Sequence, residues 1–205
     1  MNTEALLIFQ KNAELGKVKT RLAAGIGEEE ALQVYFQLCG FTHSIAQQCE
    51  MSKKLYFSNY VDGDSAGYGD EYQFEVQTGQ DLGEKMSNAF RETFAQGFER
   101  VVIIGTDCPE LSPQVINQAF AELRHNDAVI GPAKDGGYYL LGMSRYLPGV
   151  FEGIPWSTEQ VTKLTTDFLQ NNEHPFALLP VLSDVDYEED WRRFEQKLRK
   201  FKTMY

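Results

Sequence analysis

Residues 101–111 read VVIIGTDCPEL, and this stretch decides the fold. Val101, Val102, Ile103 and Ile104 make the short unbroken apolar run of a strand buried on both faces. The run stops at Gly105, and Asp107 follows at what would be the carboxyl end of the strand. Open α/β sheets bind their ligands at that end. Pro109 cannot continue a ladder, while Ser112-Pro113 supplies an N-cap and a first-turn proline for a helix. One carboxylate delivered into a turn ahead of a helix suits a divalent cation bound together with phosphate oxygens. The simpler reading is that the aspartate caps its own turn, and from this stretch alone that reading wins.

Working outward, the same strand-then-helix alternation covers the chain. Residues 5–9 (ALLIF) form another buried strand, followed by a loop that holds Lys11, Gly16, Lys17, Lys19 and Arg21 against the single acid Glu14. A first strand-to-loop connection rich in glycine and cations is a common phosphate site, although a solvated basic loop fits equally well. It lacks the spacing of a Walker A loop, and Gly25-Ile26-Gly27 runs into three glutamates rather than a dinucleotide fingerprint. Helical spacing covers 28–49, strands are expected at 54–57 and 73–77, and a glycine-rich loop at 59–70 contains the turn-like pair Asp62 and Asp64. The polar turn from Gln77 to Asp81 leads into a helix whose expected buried stripe is Leu82, Met86, Ala89 or Phe90, and Phe94. That turn suits contact with a base or ribose, or simple capping.

Past the central strand, a helix is expected at 113–124 and strands at 128–131 and 138–141. The two strands are joined through Asp135-Gly136-Gly137, where adjacent glycines let a ligand approach the backbone. Ser157 with Gln160 reads as a capping box, with Trp156 as its hydrophobic staple. The last strand, 176–182, ends in Ser183-Asp184-Val185-Asp186, and the amphipathic helix 188–201 follows, with Asp186 and Glu189 spaced as a capping box. Asp184 and Asp186 share a face in extended chain, so the pair can meet a metal held by Asp107. No linker, repeat or low-complexity break interrupts residues 1–205, which predicts one three-layer α/β domain.

Composition narrows the partners. The chain has 205 residues and a formal net charge of −11, which disfavours nucleic acid and anionic membranes, so an anionic ligand needs local cations. Cys39, Cys49 and Cys108 form no CxxC pair and suit a reducing compartment. Cys108 reads as a small buried residue, and His43, His125 and His174, scattered along the chain, as surface or half-buried side chains. The start, Met-Asn-Thr-Glu, has no basic n-region, residues 5–9 are too short for an export signal, and no stretch approaches a membrane span. A cytoplasmic location is expected.

Taken together, FQKNAELGKVKTRL, QTGQDLGEKM, GTDCPEL, GPAKDGGYYLLG and DVDYEEDW, in that order, resemble the glycosyltransferase-A-like family of radical-SAM/selenodomain-associated transferase 1. The guanylyltransferases of molybdopterin and phospholactate metabolism are more distant relations. The resemblance implies a Rossmann-like mixed sheet of the nucleotide-diphospho-sugar transferase type, with nucleotide bound at its N-terminal half. It implies that Lys19 and Arg21 contact phosphates; Lys11, Gly16, Gln77 and Asp81 are the further candidate nucleotide-binding residues. Asp107 with Asp184 or Asp186 would hold Mg²⁺ or Mn²⁺, and Asp135, Gly136 and Gly137 would line the acceptor or sugar side. The expected activity is transfer from a nucleotide-sugar to a small-molecule acceptor, with Asp135 taking the acceptor proton. Thr106 in place of an acid ahead of Asp107 keeps open nucleotidyl transfer to a phosphorylated acceptor, with Asp135 as a binding group. A non-catalytic nucleotide-sugar-binding module is the third alternative.

Overall fold

The computed structural model describes residues 3–63 and 68–201. Asp64, one half of the Asp62/Asp64 pair, lies outside the described residues. Seven strands form one sheet: β1 (Glu4–Gln10), β2 (Ser52–Phe57), β3 (Tyr72–Val76), β4 (Arg100–Ile104), β5 (Ala128–Pro132), β6 (Tyr138–Met143) and β7 (Phe176–Leu178). Their order is β3-β2-β1-β4-β6-β5-β7. β6 runs antiparallel to both β4 and β5, while the other pairings are parallel, so the sheet is mixed. The helices are α1 (Thr20–Ile26), α2 (Glu28–Ala46), α3 (Leu82–Ala95), α4 (Pro113–Glu122), α5 (Val161–Asn171) and α6 (Glu188–Leu198), with a 3₁₀ turn at Pro148–Phe151. This is the three-layer α/β architecture expected for a nucleotide-diphospho-sugar transferase fold.

The central strands are buried on both faces, and their side chains divide by parity. Leu6, Ile8, Val102 and Ile104 enter one core, with α2, α4 and α6, whereas Ala5, Leu7, Val101 and Ile103 enter the other, with α3, the 3₁₀ turn and α5. Period-two alternation on a doubly covered strand produces this split.

Several boundaries differ from the sequence reading. The basic loop contains α1, which its flanking glycines disguise. β7 stops at Leu178 because Pro180 cannot donate to the ladder, and the chain rejoins the sheet as a single bridge between Leu182 and Ala133. Ser157 does not cap α5: that helix starts at Val161 after Gln160, and Ser157 sits at φ 65°. The cap of α6 is displaced by one residue, since the Asp190 carboxylate accepts the Tyr187 N–H at 3.0 Å. Ser112 caps α4 as expected, accepting from the Val115 N–H at 3.3 Å.

Candidate active site

Strand order sets the position of the site. Between β1 and β4 the connections diverge to opposite sides, and a cleft of about 860 Å³ opens at the carboxyl ends of these strands. Because β6 is antiparallel, its amino end faces the same cleft and supplies Tyr138 and Tyr139. β1 supplies Phe9 and Gln10, and the β4 turn supplies Gly105 to Cys108.

Lys19 is at the centre. It precedes α1 in the left-handed conformation, φ 48° and ψ 42°, which costs a non-glycine residue roughly 1–2 kcal/mol. Its ammonium lies 2.6 Å from Asp107 Oδ1 and 3.5 Å from Asp186 Oδ1, and it donates to the Val185 carbonyl at 2.7 Å. Burial alone would lower its pKa, but Asp107 and Asp186 outweigh burial and raise it. Arg21 reaches Asp186 Oδ2 at 3.2 Å and lies 6.0 Å from the Tyr187 ring centroid.

Asp184 has no such partner. Its Oδ1 is buried without a hydrogen bond. Burial first and the neighbouring Asp107 second push its carboxyl up to about 7, with Lys19 pulling the other way. Two backbone links hold this segment against the β4 turn: Val185 N–H donates to the Asp107 carbonyl at 3.0 Å, and Ser183 N–H donates to Glu110 Oε2 at 2.8 Å.

Among the described residues, no three of His, Cys, Asp and Glu converge on a point that could hold a metal ion. Asp186 is shared by Lys19 and Arg21, whereas Asp107, paired with Lys19 alone, is also the carboxylate that acts most strongly on Asp184. An unsatisfied buried carboxylate oxygen beside a second carboxylate fits a hard cation that takes its remaining ligands from phosphate and water.

The other expected site residues divide. Lys11, Gln77, Asp135 and Gly137 line the cleft. Gln77 donates through Nε2 to the Tyr56 carbonyl at 3.0 Å and the Gln10 carbonyl at 3.4 Å. Asp135 Oδ1 accepts the Gly137 N–H at 2.9 Å. Gly16, Asp81 and Gly136 stand off the cleft wall. Gly16 faces the Glu28 carboxylate, and Asp81 caps α3 through the Glu84 N–H at 2.8 Å. Gly136, at φ 88°, lies so close to the Glu159 backbone that a Cβ would come within 2.1 Å of it. That contact anchors one end of a strap, residues 156–159. The other end rests on α3, where a Cβ at Gly83 would come within 2.2 Å of Trp156 Nε1. Trp156 therefore packs on α3 and Phe151 and faces the cleft, instead of stapling α5.

Sequence reasoning missed the supports behind the site. Asn12 Oδ1 accepts from the N–H groups of Asn59 and Tyr60, and its Nδ2 donates to the Tyr60 carbonyl, fixing the chain after β2. His43 is fully buried, where a surface or half-buried side chain was expected: Nε2 meets Gln10 Oε1 at 2.8 Å and Nδ1 meets the Tyr72 hydroxyl at 3.2 Å. Burial depresses its pKa to about 3. Cys108 is buried as expected, and burial pushes its thiol up to about 12.

With this geometry in place, comparison with known proteins adds a family. Residues 42–158, more than half of the chain, match the model of the uncharacterized proteins conserved in bacteria, DUF2064. The chain belongs to that family. Comparison with curated proteins finds no match. Among solved structures, this DUF2064 member is similar to a candidate nucleotide-diphospho-sugar transferase from Desulfovibrio desulfuricans G20. The identity is 29%, the match covers 98% of this chain and 99% of that one, and the TM-score is 0.85. More distant likenesses show the shared fold. One is 4-diphosphocytidyl-2C-methyl-D-erythritol synthase from Anaerococcus prevotii, at 12% identity over 97% and 96% of the chains, TM-score 0.63. Another is Rv0371c of Mycobacterium tuberculosis H37Rv in complex with manganese, at 16% identity over 94% and 97%, TM-score 0.54.

Proposed function

We propose that the DUF2064 chain is a divalent-metal-dependent transferase that takes a nucleotide-sugar and passes the sugar to a small-molecule acceptor. The observation that carries this reading is the Asp107–Asp184 pair, with a buried unpaired oxygen, set beside Lys19 and Arg21 in one cleft. The manganese in the Rv0371c structure and the sugar-nucleotide chemistry named for the Desulfovibrio relative support it, as does the resemblance to radical-SAM/selenodomain-associated transferases. Asp107 and Asp184 would hold Mg²⁺ or Mn²⁺. The bound cation would supply positive charge against which a departing diphosphate is stabilised.

The chain's own groups do the rest. Lys19 and Arg21 exchange Asp186 for phosphate oxygens, and Lys11 and Gln77, at the β1 end, take the nucleoside. Asp135 accepts the proton of the acceptor hydroxyl as its oxygen bonds to the sugar carbon. No helix among the described residues is long and apolar enough to cross a membrane, and the proposed setting is the cytoplasm, with residues 1–205 acting as one domain.

Nucleotidyl transfer is the second reading. It is favoured by the single aspartate of Thr106-Asp107 and by the fold shared with the erythritol synthase. Thermal-shift screening of nucleoside diphosphates, triphosphates and nucleotide-sugars with and without Mn²⁺ separates the two, because stabilisation grows as RT ln(1 + [L]/Kd). Manganese-dependent stabilisation by one nucleotide-sugar, lost in Asp107→Ala, is the expected result. A preference for a triphosphate moves the assignment to nucleotidyl transfer, and no response to any nucleotide overturns both.

A further inference from the structure

The cations in the cleft are confined to one side, whereas acids line both. Among the described residues lining the cleft, the three cations, Lys11, Lys19 and Arg21, all come from the stretch that runs from the end of β1 into the first turn of α1, a helix whose Leu22 packs into the α2 core. The opposite wall is built by Asp135, Gly137, Tyr138 and the strap, whose Trp156 packs against the α3 core. Among the described residues lining that wall there is no cation, and its two charged groups, Asp135 and Glu159, are both acids. The basic side chains nearest in sequence are placed elsewhere. Lys134 is exposed and off the cleft, Lys163 pairs with Asp167, and Arg145, beyond the far end of β6, is held by Asp127.

Two carboxylates without a counter-cation repel a phosphate ester. They do accept hydrogen bonds from hydroxyls, and an indole face beside them offers an apolar surface to a ring's C–H bonds. We propose that the second substrate is an unphosphorylated polyhydroxy compound, a neutral sugar or polyol, bound between Asp135, Glu159 and Trp156. The existence of a second substrate rests on the nucleotide-sugar reading. In the step, one acceptor hydroxyl oxygen bonds to the anomeric carbon of the donor while that carbon's bond to the diphosphate oxygen breaks. The electron pair leaves with the nucleoside diphosphate, and the hydroxyl proton goes to Asp135.

The test uses the full chain with Mn²⁺ and a panel of nucleoside diphosphates, followed by matched probes: methyl glycosides of glucose, galactose and mannose, and their phosphate monoesters. If no diphosphate gives a manganese-dependent shift, the nucleotide-sugar reading fails before any probe is added. Once the protein is saturated with a responding diphosphate, at least one neutral glycoside is expected to raise the melting temperature further. It should bind at least roughly tenfold more tightly than its phosphate monoester. Glu159→Lys, on the exposed strap, should narrow or reverse that ratio. Equal or tighter binding of the phosphate monoesters overturns the proposal, as does binding of neither member of any pair.

Discussion

Lys19 holds together groups that would otherwise repel. Its side chain is 5% exposed, while those of Asp107 and Asp186 are 47% and 32% exposed, so water screens part of the acids' charge. Deleting one partner of a fully buried pair costs about 3–5 kcal/mol, and the half-exposed acids here place Lys19→Met below that, at about 1–3 kcal/mol. The loss should be smaller in Mn²⁺ than in chelator, because an added cation replaces the missing charge; urea unfolding under both conditions checks it. Gly105 is informative for the opposite reason. A Cβ built there meets nothing within 4 Å, and the residue lines the cleft. Gly105→Val should leave stability within about 0.5 kcal/mol while weakening nucleotide binding, as measured by calorimetric titration. Lys19 and Asp107, which line one cleft, were legible as candidates because strand, turn and charge coincide locally. Glu110 was not, since its partner Ser183 lies 73 residues away.

The strap and the helix it crosses make two glycines behave differently. At Gly83 the obstructing atoms belong to the Trp156 indole, the movable end of a side chain, and alanine gains up to about 1 kcal/mol of helix preference. Gly83→Ala should therefore fold with stability changed by less than about 1 kcal/mol but displace Trp156 from the cleft wall. At Gly136 the obstruction is the Glu159 backbone and φ is 88°, so Gly136→Ala should cost about 1–3 kcal/mol in chemical unfolding. Equal effects of the two substitutions would refute this account of the strap. Elements whose apolar run is long and buried on both faces, β1 and β4 above all, were readable from composition alone. The start of α5 was not: Ser157 and Gln160 have capping-box spacing, yet Ser157 adopts φ 65° because the chain is drawn across to Gly83 and Gly136.

For the whole molecule, two buried groups tilt stability against pH in opposite directions. His43 falls from 6.5 to about 3, so its contribution is complete above pH 6.5 and is lost as pH drops toward 3. Asp184 rises from 3.8 to about 7, so the protein is penalised as pH climbs from about 4 to 7. Each slope approaches about 1.4 kcal/mol per pH unit where one proton is exchanged, and between pH 4 and 6.5 they offset. Asp184→Asn should expose the rising slope and raise the melting temperature of the metal-free protein at pH 7, whereas His43→Gln should expose the falling one. Melting curves across pH 4–7 read both. The net charge of −11 directed attention to a local cluster of cations, and Lys11, Lys19 and Arg21 line one cleft, but the number of acids folded into the same cleft depended on strand order, which no single stretch displays.

The two tryptophans occupy opposite environments: Trp191 is 2% exposed in the core, and Trp156 looks into the cleft. Collisional quenchers such as acrylamide or iodide should therefore reach one emitter and leave the other dark to them. The accessible fraction of the native fluorescence becomes a built-in gauge of cleft occupancy, with no label attached.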